Sequence, residues 1–260
     1  MAEIDLGTQR ITRRGVLAGG LALAAGRVVG AEEATECGGA ARKRFVPTSD
    51  YVTREVEGWT VRVNRRLLKE LKALGEPALR LLEVKLYDIT RVVPADACRS
   101  LREVRIWLGV EDGHAPCAEY HPSREWLTEN GYNPDKARAV EIGNASKFLE
   151  WSLDQPWMVL HELAHAYHDQ VLGYDHPGIL SAFAQATKKG SYDAVLRAGG
   201  KRERAYALNN EQEYFAELTE AFFGVNDFFP FVRTELAHHD DAGYRALAKA
   251  WGVEVPMPDE

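Results

Sequence analysis

Residues 155–169 read QPWMVLHELAHAYHD and contain the pattern H-E-x-x-H at His161, Glu162 and His165. Pro156 predicts a helix start, because proline is tolerated in the first turn. Two imidazoles four residues apart share one face of a helix and can hold a metal ion from the same side. Glu162 would be near enough to take a proton from a water on that metal. The alternative is an ordinary helix that carries two histidines.

The composition is that of a globular protein. The chain has 260 residues, of which 45% are hydrophobic and 27% are charged. This predicts one or at most two domains. The formal net charge of −7 gives no electrostatic footprint for nucleic acid, which is therefore not expected as a partner. Beyond the N-terminus no run of about 18 apolar residues occurs, which excludes a polytopic membrane protein.

The N-terminus has the pattern of an export signal. Arg13 and Arg14 precede an apolar run of small residues at 18–29, and Ala31 completes an A-x-A-like cleavage site. Residues 1–31 are therefore predicted to be a signal peptide of the twin-arginine type in bacteria, which gives a periplasmic or secreted protein without stable membrane insertion after cleavage. The alternative is a disordered basic tail or a short uncleaved anchor.

The rest of the chain divides into a linker and one domain. Residues 32–48 are small, polar and basic and predict a flexible linker, and residues 49–260 are expected to form a single domain. Alternating apolar residues predict a hairpin around Glu57 and strands at 101–110 and 139–144, whereas apolar residues at helical spacing predict helices at 65–74, 77–93, 179–187, 192–196, 209–223 and 241–251. Strands come early and helices late, so the predicted fold class is α+β.

A substrate cleft is expected between the N-terminal sheet part and the helical C-terminal part, and two segments are candidates for its edge. Residues 111–135 contain several prolines and predict a long functional loop. The strand at 139–144 is expected at the sheet edge, where an extended peptide could add itself as a further strand. An ordinary structural strand is the alternative. Cys98 and Cys117 could form a disulfide in an exported protein, or remain as buried free thiols.

A catalytic zinc needs a third protein ligand besides His161 and His165. A third histidine ten residues after the first, which one family of zinc peptidases uses, is excluded because Val171 stands there. His168 is poorly placed on the same helix and is expected to pack locally. Helix 209–223 offers Glu213 and Glu217 on one face, four residues apart. Either could complete a His2Glu set, with Glu213 preferred, and the other could accept a hydrogen bond from a ligand histidine, expected to be His161.

His161-Glu162-x-x-His165 followed by Glu213-Tyr-Phe-Ala-Glu217 resembles the gluzincin peptidases, in the branch related to the anthrax lethal factor catalytic domain and the clostridial Pro-Pro endopeptidases. The resemblance covers residues 140–225. It implies a zincin-like fold, one zinc ion held by His161, His165 and Glu213, and Glu217 behind the ligands. It also implies that Tyr206, seven residues before Glu213, donates a hydrogen bond to the oxyanion. The chain as a whole resembles uncharacterised exported bacterial zinc-peptidase-like proteins.

The expected function is that of an exported zinc endopeptidase with Glu162 as the general base and a peptide or protein as substrate. Two alternatives stay open. The first is a zinc-binding pseudoenzyme or binding module, in which a fourth ligand from His168, Asp169 or His176 closes the site. The second is a zinc hydrolase of a non-peptide amide, for example in the cell wall. The sequence predicts no oligomeric state.

Overall fold

A computed structural model of the protein describes residues 45–111 and 117–255. The predicted signal peptide 1–31, most of the predicted linker and Cys37 lie outside the described residues. Within the described ranges, no helix has both the length and the apolar character needed to cross a membrane.

A small mixed sheet forms the N-terminal half. Its strands are β1 (Tyr51–Val56), β2 (Trp59–Asn64), β3 (Ile106–Leu108), β4 (Ala118–His121) and β5 (Ala139–Ile142), in the spatial order β1-β2-β3-β5-β4. The β2, β3 and β5 strands run parallel, and β1 and β4 pair antiparallel at the two edges. The predicted hairpin is confirmed, and its turn places Glu57 (φ 51°) and Gly58 (φ 88°) in the left-handed region, which glycine adopts without strain.

The helices form most of the C-terminal half, and α6 packs against β4 and β5 of the sheet. They are α1 (Arg65–Leu68), α2 (Lys72–Val92), α3 (Ala95–Arg102), α4 (Arg124–Glu129), α5 (Ala145–Trp151), α6 (Met158–Tyr167), α7 (Pro177–Lys189), α8 (Glu211–Phe223), α9 (Arg233–His239) and α10 (Asp241–Trp251). A π-helical turn, His168–Leu172, continues α6, and two short strands, β6 (Val195–Leu196) and β7 (Arg202–Glu203), form a separate ribbon.

The predicted edge strand is wrong in its position. The β5 strand lies inside the sheet between β3 and β4, and β4 is the edge. Residues 111–135 were expected to be a loop, but the described part of this segment contains β4 and α4. The β4 strand has only four residues, and its buried residues include the polar Glu119 and His121, which is why the segment lacks the apolar alternation of a half-buried strand.

The observed bounds of other helices and strands also differ from the predicted ones. The predicted strand 101–110 is only Ile106–Leu108, because α3 extends to Arg102. The chain breaks between α1 and α2 at residues 69–71 rather than before Pro77, which lies inside α2. Gly75 explains the tight reversal, since a Cβ there would lie 2.1 Å from the carbonyl oxygen of Leu67. The predicted helix at 192–196 is wrong, because β6 occupies its end.

The helical side of the sheet and the C-terminal helices share one hydrophobic core, which extends from Trp59 in β2 to Trp251 in α10. Helices α6 and α8 pack against each other at its centre. They approach closely where α8 ends, because a Cβ on Gly224 would lie 2.0 Å from Cε2 of Trp157. Glycine is therefore required at this crossing.

The two described cysteines, Cys98 and Cys117, are buried free thiols, which is one of the two alternatives that the sequence left open. The Cys117 thiol instead contacts the sulfur of Met158 at 3.7 Å. Burial raises the pKa of Cys117 to about 12, with the neighbouring carboxylate of Glu162 acting in the same direction. The thiol therefore stays protonated and serves as a small apolar side chain.

Candidate metal centre

The α6 helix is buried along almost its whole length, as expected for a helix whose apolar residues occupy more than one face. His161 and His165 lie one turn apart on this helix and are only 6% and 7% exposed. Their Nε2 atoms are 3.1 Å apart. The spacing of H-E-x-x-H thus brings both imidazoles to one point, as the sequence predicts.

The α8 helix brings a carboxylate to the same point. Asn210 caps α8 by accepting a hydrogen bond from the backbone N–H of Glu213 at 2.7 Å, which fixes the first turn. Oε2 of Glu213 lies 3.1 Å from Nε2 of His161 and 3.3 Å from Nε2 of His165. Of the two carboxylates that the sequence offered as ligands, Glu213 is the one that meets both histidines.

The three ligand atoms form a triangle of the right size for one metal ion. Tetrahedral coordination with bonds of about 2.0–2.1 Å places neighbouring ligand atoms about 3.3–3.4 Å apart. The distances between the ligand atoms of His161, His165 and Glu213 are 3.1, 3.1 and 3.3 Å. An ion at this position needs only a slight expansion of the triangle, so the residues fit a metal with three protein ligands.

The electrostatics of the metal-free site support the same interpretation. Burial lowers the pKa of His161, but hydrogen bonds with Glu213 and Glu220 outweigh it and raise the pKa well above its ordinary value. Burial raises the pKa of Glu213, and the imidazoles of His165 and His161 outweigh that effect and hold it well below its usual range. A cation therefore stabilises this buried carboxylate, and a metal ion can take the place of the ring protons.

Glu220 holds the ring of His161 through Nδ1, the nitrogen that does not point into the triangle. Nδ1 of His161 donates a hydrogen bond to Oε1 of Glu220 at 2.7 Å, whereas Oε1 of Glu217 lies 3.7 Å from the same nitrogen. The hydrogen bond expected from Glu217 therefore comes from Glu220. The bond to Nδ1 leaves Nε2 as the ligand atom. The spacing already contained the signal, because positions 213, 217 and 220 share one face of a helix.

Glu162 points to the edge of the sheet. Its Oε2 accepts a hydrogen bond from the backbone N–H of Tyr120 in β4 at 2.8 Å. Glu162 is half-buried between its two histidine neighbours in sequence. The two histidines of the triangle and the carboxylate of Glu162 are thus carried by the same helix, α6, and the carboxylate of Glu162 is oriented by a backbone group that no side-chain motif encodes.

Two tyrosines, Tyr206 and Tyr174, lie near α8, the helix that carries Glu213. Tyr206 begins a short 3-10 helix, Tyr206–Leu208, which packs against α8, and its side chain is half-buried. Tyr174 follows the π-helical turn and stacks edge-on against His168 with ring centroids 5.1 Å apart. Burial raises the pKa of Tyr174, and the charges of Asp169 and Glu213 raise it further. Tyr174 was not singled out by its sequence position.

Of the three residues that could have closed the fourth position, Asp169 and His176 make hydrogen bonds elsewhere, and both ring nitrogens of His168 are buried without a hydrogen-bond partner in the described parts of the chain. Asp169 accepts a hydrogen bond from the Tyr120 hydroxyl at 2.5 Å, and Nδ1 of His176 accepts the N–H of Ile179 at the start of α7. His168 is fully buried, and burial with the nearby His165 and His176 lowers its pKa to about 4. Among the described residues, none of these three joins the triangle. An ion held by the triangle would therefore keep a coordination position that none of these three side chains fills.

A second buried group lies on the other face of β4 and β5. Glu119, His121 and Glu141 also have ligand atoms within 4.8 Å of one another. Here, however, the fully buried ammonium of Lys136 contacts Oε1 of Glu141, and Nε2 of His121 lies 2.8 Å from Oε2 of the same residue. Because a cation of the chain already neutralises this group, we interpret it as an ion-pair network that fixes the strands rather than as a second metal site.

Comparison with family models, with curated proteins and with solved structures found no match to this chain. The functional interpretation therefore depends on the geometry of the triangle, Glu162 and the open sheet edge.

Proposed function

We propose that this protein is a zinc-dependent endopeptidase with a zincin-like fold, and that it acts outside the bacterial cytoplasm. The observation that carries the proposal is the triangle of His161, His165 and Glu213 beside the carboxylate of Glu162. Two imidazoles, one carboxylate and an open position form the ligand set of catalytic zinc, whereas structural sites close all four positions with protein ligands.

The position of β4 at the edge of the sheet supports a peptide as the substrate. In an antiparallel pair, the backbone groups of alternate residues point away from the partner strand. The carbonyls of Cys117 and His121 accept hydrogen bonds from the β5 side, so those of Ala118 and Tyr120 face outward. An extended chain can pair with these outward groups and lie next to Glu162, which matches an endopeptidase substrate.

The chain's own residues account for binding, orientation and proton transfer. A zinc ion, when bound, would polarise the scissile carbonyl and lower the pKa of the attacking water. Glu162 accepts the proton of that water and passes it to the leaving amine. Glu220 holds the ring of His161 through Nδ1. By the resemblance to gluzincins, Tyr206 donates a hydrogen bond to the oxyanion.

The test combines metal analysis with a matched pair of variants. Purified protein is expected to contain one zinc per chain, and mass-spectrometric profiling of a peptide library should show internal cleavage. E162Q should retain zinc and lose turnover, because glutamine cannot accept the proton. E150Q, at an exposed position of helix α5, removes a surface carboxylate of the same kind and should behave as the parent.

Two results would contradict the proposal. If E162Q cleaved peptides as fast as the parent, Glu162 would not be the general base, and the proposed mechanism of hydrolysis would be wrong. Zinc loading without cleavage of any library peptide, together with E162Q-sensitive release of amines from cell-wall fragments, would instead identify a hydrolase of a non-peptide amide.

A further inference from the structure

Tyr120 connects the catalytic carboxylate and the active-site helix at two separate points. Its backbone N–H donates to Oε2 of Glu162 at 2.8 Å. Its hydroxyl donates to Oδ2 of Asp169 at 2.5 Å and accepts a hydrogen bond from Nε2 of Gln170 at 3.0 Å. The side chain is only 7% exposed. One residue of the edge strand therefore reaches α6 through its amide and the following turn through its hydroxyl.

The π-helical turn explains how the hydroxyl finds both partners. Residues His168–Leu172 continue α6 with wider turns, and such turns often accompany functional sites. This turn directs Asp169 and Gln170 toward β4. Nε2 of Gln170 also lies 3.4 Å from the carbonyl oxygen of Arg138, just before β5. The turn is thus tied to the edge strand and to the strand beside it.

We propose that Tyr120 is the positioning residue of the general base. On the basis of the proposed peptidase function, the bonds of its hydroxyl to Asp169 and Gln170 keep β4 at a fixed distance from α6, and its amide therefore holds the carboxylate of Glu162 in the orientation that accepts a proton. Tyr120 does not touch the reacting atoms in this role and acts through Glu162.

The physical reason is that β4 is a weak element on its own. It has four residues, it lies at the sheet edge, and β5 is its only strand neighbour within the described part of the chain. Short edge strands open readily unless side chains fix them. A general base must lie within about 2.6–3.2 Å of the proton that it takes, and a displacement of about 1 Å can cost about 100-fold in rate.

The central test is Y120F, which removes the hydroxyl and keeps the ring and the amide. We expect kcat to fall about tenfold or more with a smaller change in KM and with zinc content unchanged. The matched control is Y167F. Tyr167 lies on α6 and is 8% exposed, and its hydroxyl donates to the carbonyl oxygen of Ala250 at 3.3 Å, away from β4. This control should keep the kcat of the parent.

A readout that does not depend on activity is hydrogen exchange at the amide of Tyr120, followed by NMR. In the parent this amide is protected by Glu162. Y120F should exchange there about tenfold faster or more, because without the hydroxyl bonds β4 moves away from α6 more often and the hydrogen bond from the amide to the charged Glu162 opens. Y167F should leave this rate unchanged. E162A, which removes the acceptor, sets the rate expected when the amide has no protein partner.

Variants of Asp169 distinguish the loss of the hydrogen bond between Tyr120 and Asp169 from a general folding defect. D169N keeps an oxygen that can accept the hydroxyl bond, so it should retain most of the kcat and the amide protection of the parent. D169A should resemble Y120F in both measurements. The double variant Y120F/D169A should be no worse than either single variant, because both remove the same contact.

The outcomes separate this proposal from the proposed function. If the parent cleaves peptides and Y120F matches Y167F in kcat and in exchange, the positioning role is wrong and the peptidase assignment stands. If the parent cleaves no substrate, the peptidase assignment fails, and the exchange rates alone decide whether Tyr120 holds Glu162. Equal losses in D169N and D169A would also overturn the role assigned to the hydroxyl bond.

Discussion

Glu220 accepts a hydrogen bond from Nδ1 of His161 at 2.7 Å, seven residues beyond the carboxylate of Glu213 on the same helix. One face of α8 therefore supplies both a candidate metal ligand, Glu213, and the group that orients the ring of His161. The two helices that carry these residues are separated by 48 positions between His165 and Glu213. The proposed metal site consequently depends on how α6 and α8 pack against each other.

The first prediction concerns this hydrogen bond. E220A should weaken zinc binding by about 10–100-fold, because losing the group behind a ligand histidine usually has an effect of that size. Competition with a chromophoric chelator measures the affinity. E211A, in the first turn of α8 and only partly buried, is the matched control and should bind zinc as the parent does. A loss in E217A larger than that in E220A would contradict the assignment of the orienting group.

The second prediction concerns the oxyanion donor. Y206F should lower kcat by about 10²–10³-fold with zinc content unchanged, since this is the usual effect of losing one such donor. Y174F removes the hydroxyl of the other nearby tyrosine and should have a much smaller effect. Steady-state kinetics on a single cleaved peptide distinguish them. The reverse ranking of the two variants would transfer the role to Tyr174.

The third prediction concerns the pH dependence of stability. Burial raises the pKa of Glu119 to about 7, while His121 opposes this effect and Glu141 and Glu162 add to it. The folded chain therefore keeps a proton that the unfolded chain releases near pH 4.5. Its stabilising contribution is present below about pH 4.5 and is lost as the pH rises toward 7, at up to about 1.4 kcal/mol per pH unit.

E119Q imitates the protonated carboxyl and should remove this contribution to the slope. Urea unfolding of the metal-free parent and of E119Q between pH 4.5 and 8 gives the difference in unfolding free energy at each pH. This difference should grow in favour of E119Q as the pH rises to 7 and then stay constant. A difference that does not change with pH would show that Glu119 titrates normally in the folded protein.

The fourth prediction concerns the crossing of α6 and α8. G224A places a methyl group where the indole of Trp157 lies, so it should lower the free energy of unfolding by about 1–3 kcal/mol or more. Trp157 comes one turn before His161, so zinc affinity should fall as well. G199A is the control, because a Cβ at Gly199 meets no atom within 4 Å. Thermal unfolding and chelator competition test both variants, and equal behaviour would contradict the close contact.

The sequence predicted the elements whose apolar periodicity is long and regular. The bounds of α10 are those expected, and α8 and α6 differ by two or three residues at their starts. Once these helices were assigned, the H-E-x-x-H spacing and the helical spacing of Glu213 and Glu217 placed the triangle at one point. The triangle was predictable because its geometry is contained within two helices.

The remaining parts depend on tertiary contacts that periodicity does not encode. The β4 strand was missed because it buries Glu119 and His121 in the network with Lys136, so its polar residues gave the pattern of a loop. The internal position of β5 follows from the pairing of that missed strand. The helix predicted at 65–74 ends early because the chain folds back and packs Gly75 against Leu67, a close approach that apolar spacing does not encode.

The hydrogen bond from the Tyr120 amide to Glu162 has a consequence for how this arrangement can vary among proteins. Every residue except proline carries a backbone N–H. Substitution at position 120 can therefore alter the anchoring side chain while the donor to the carboxylate survives. Proteins that hold their carboxylate in the same way need share no residue type at this strand, and superposed backbones, rather than aligned letters, would reveal the common feature.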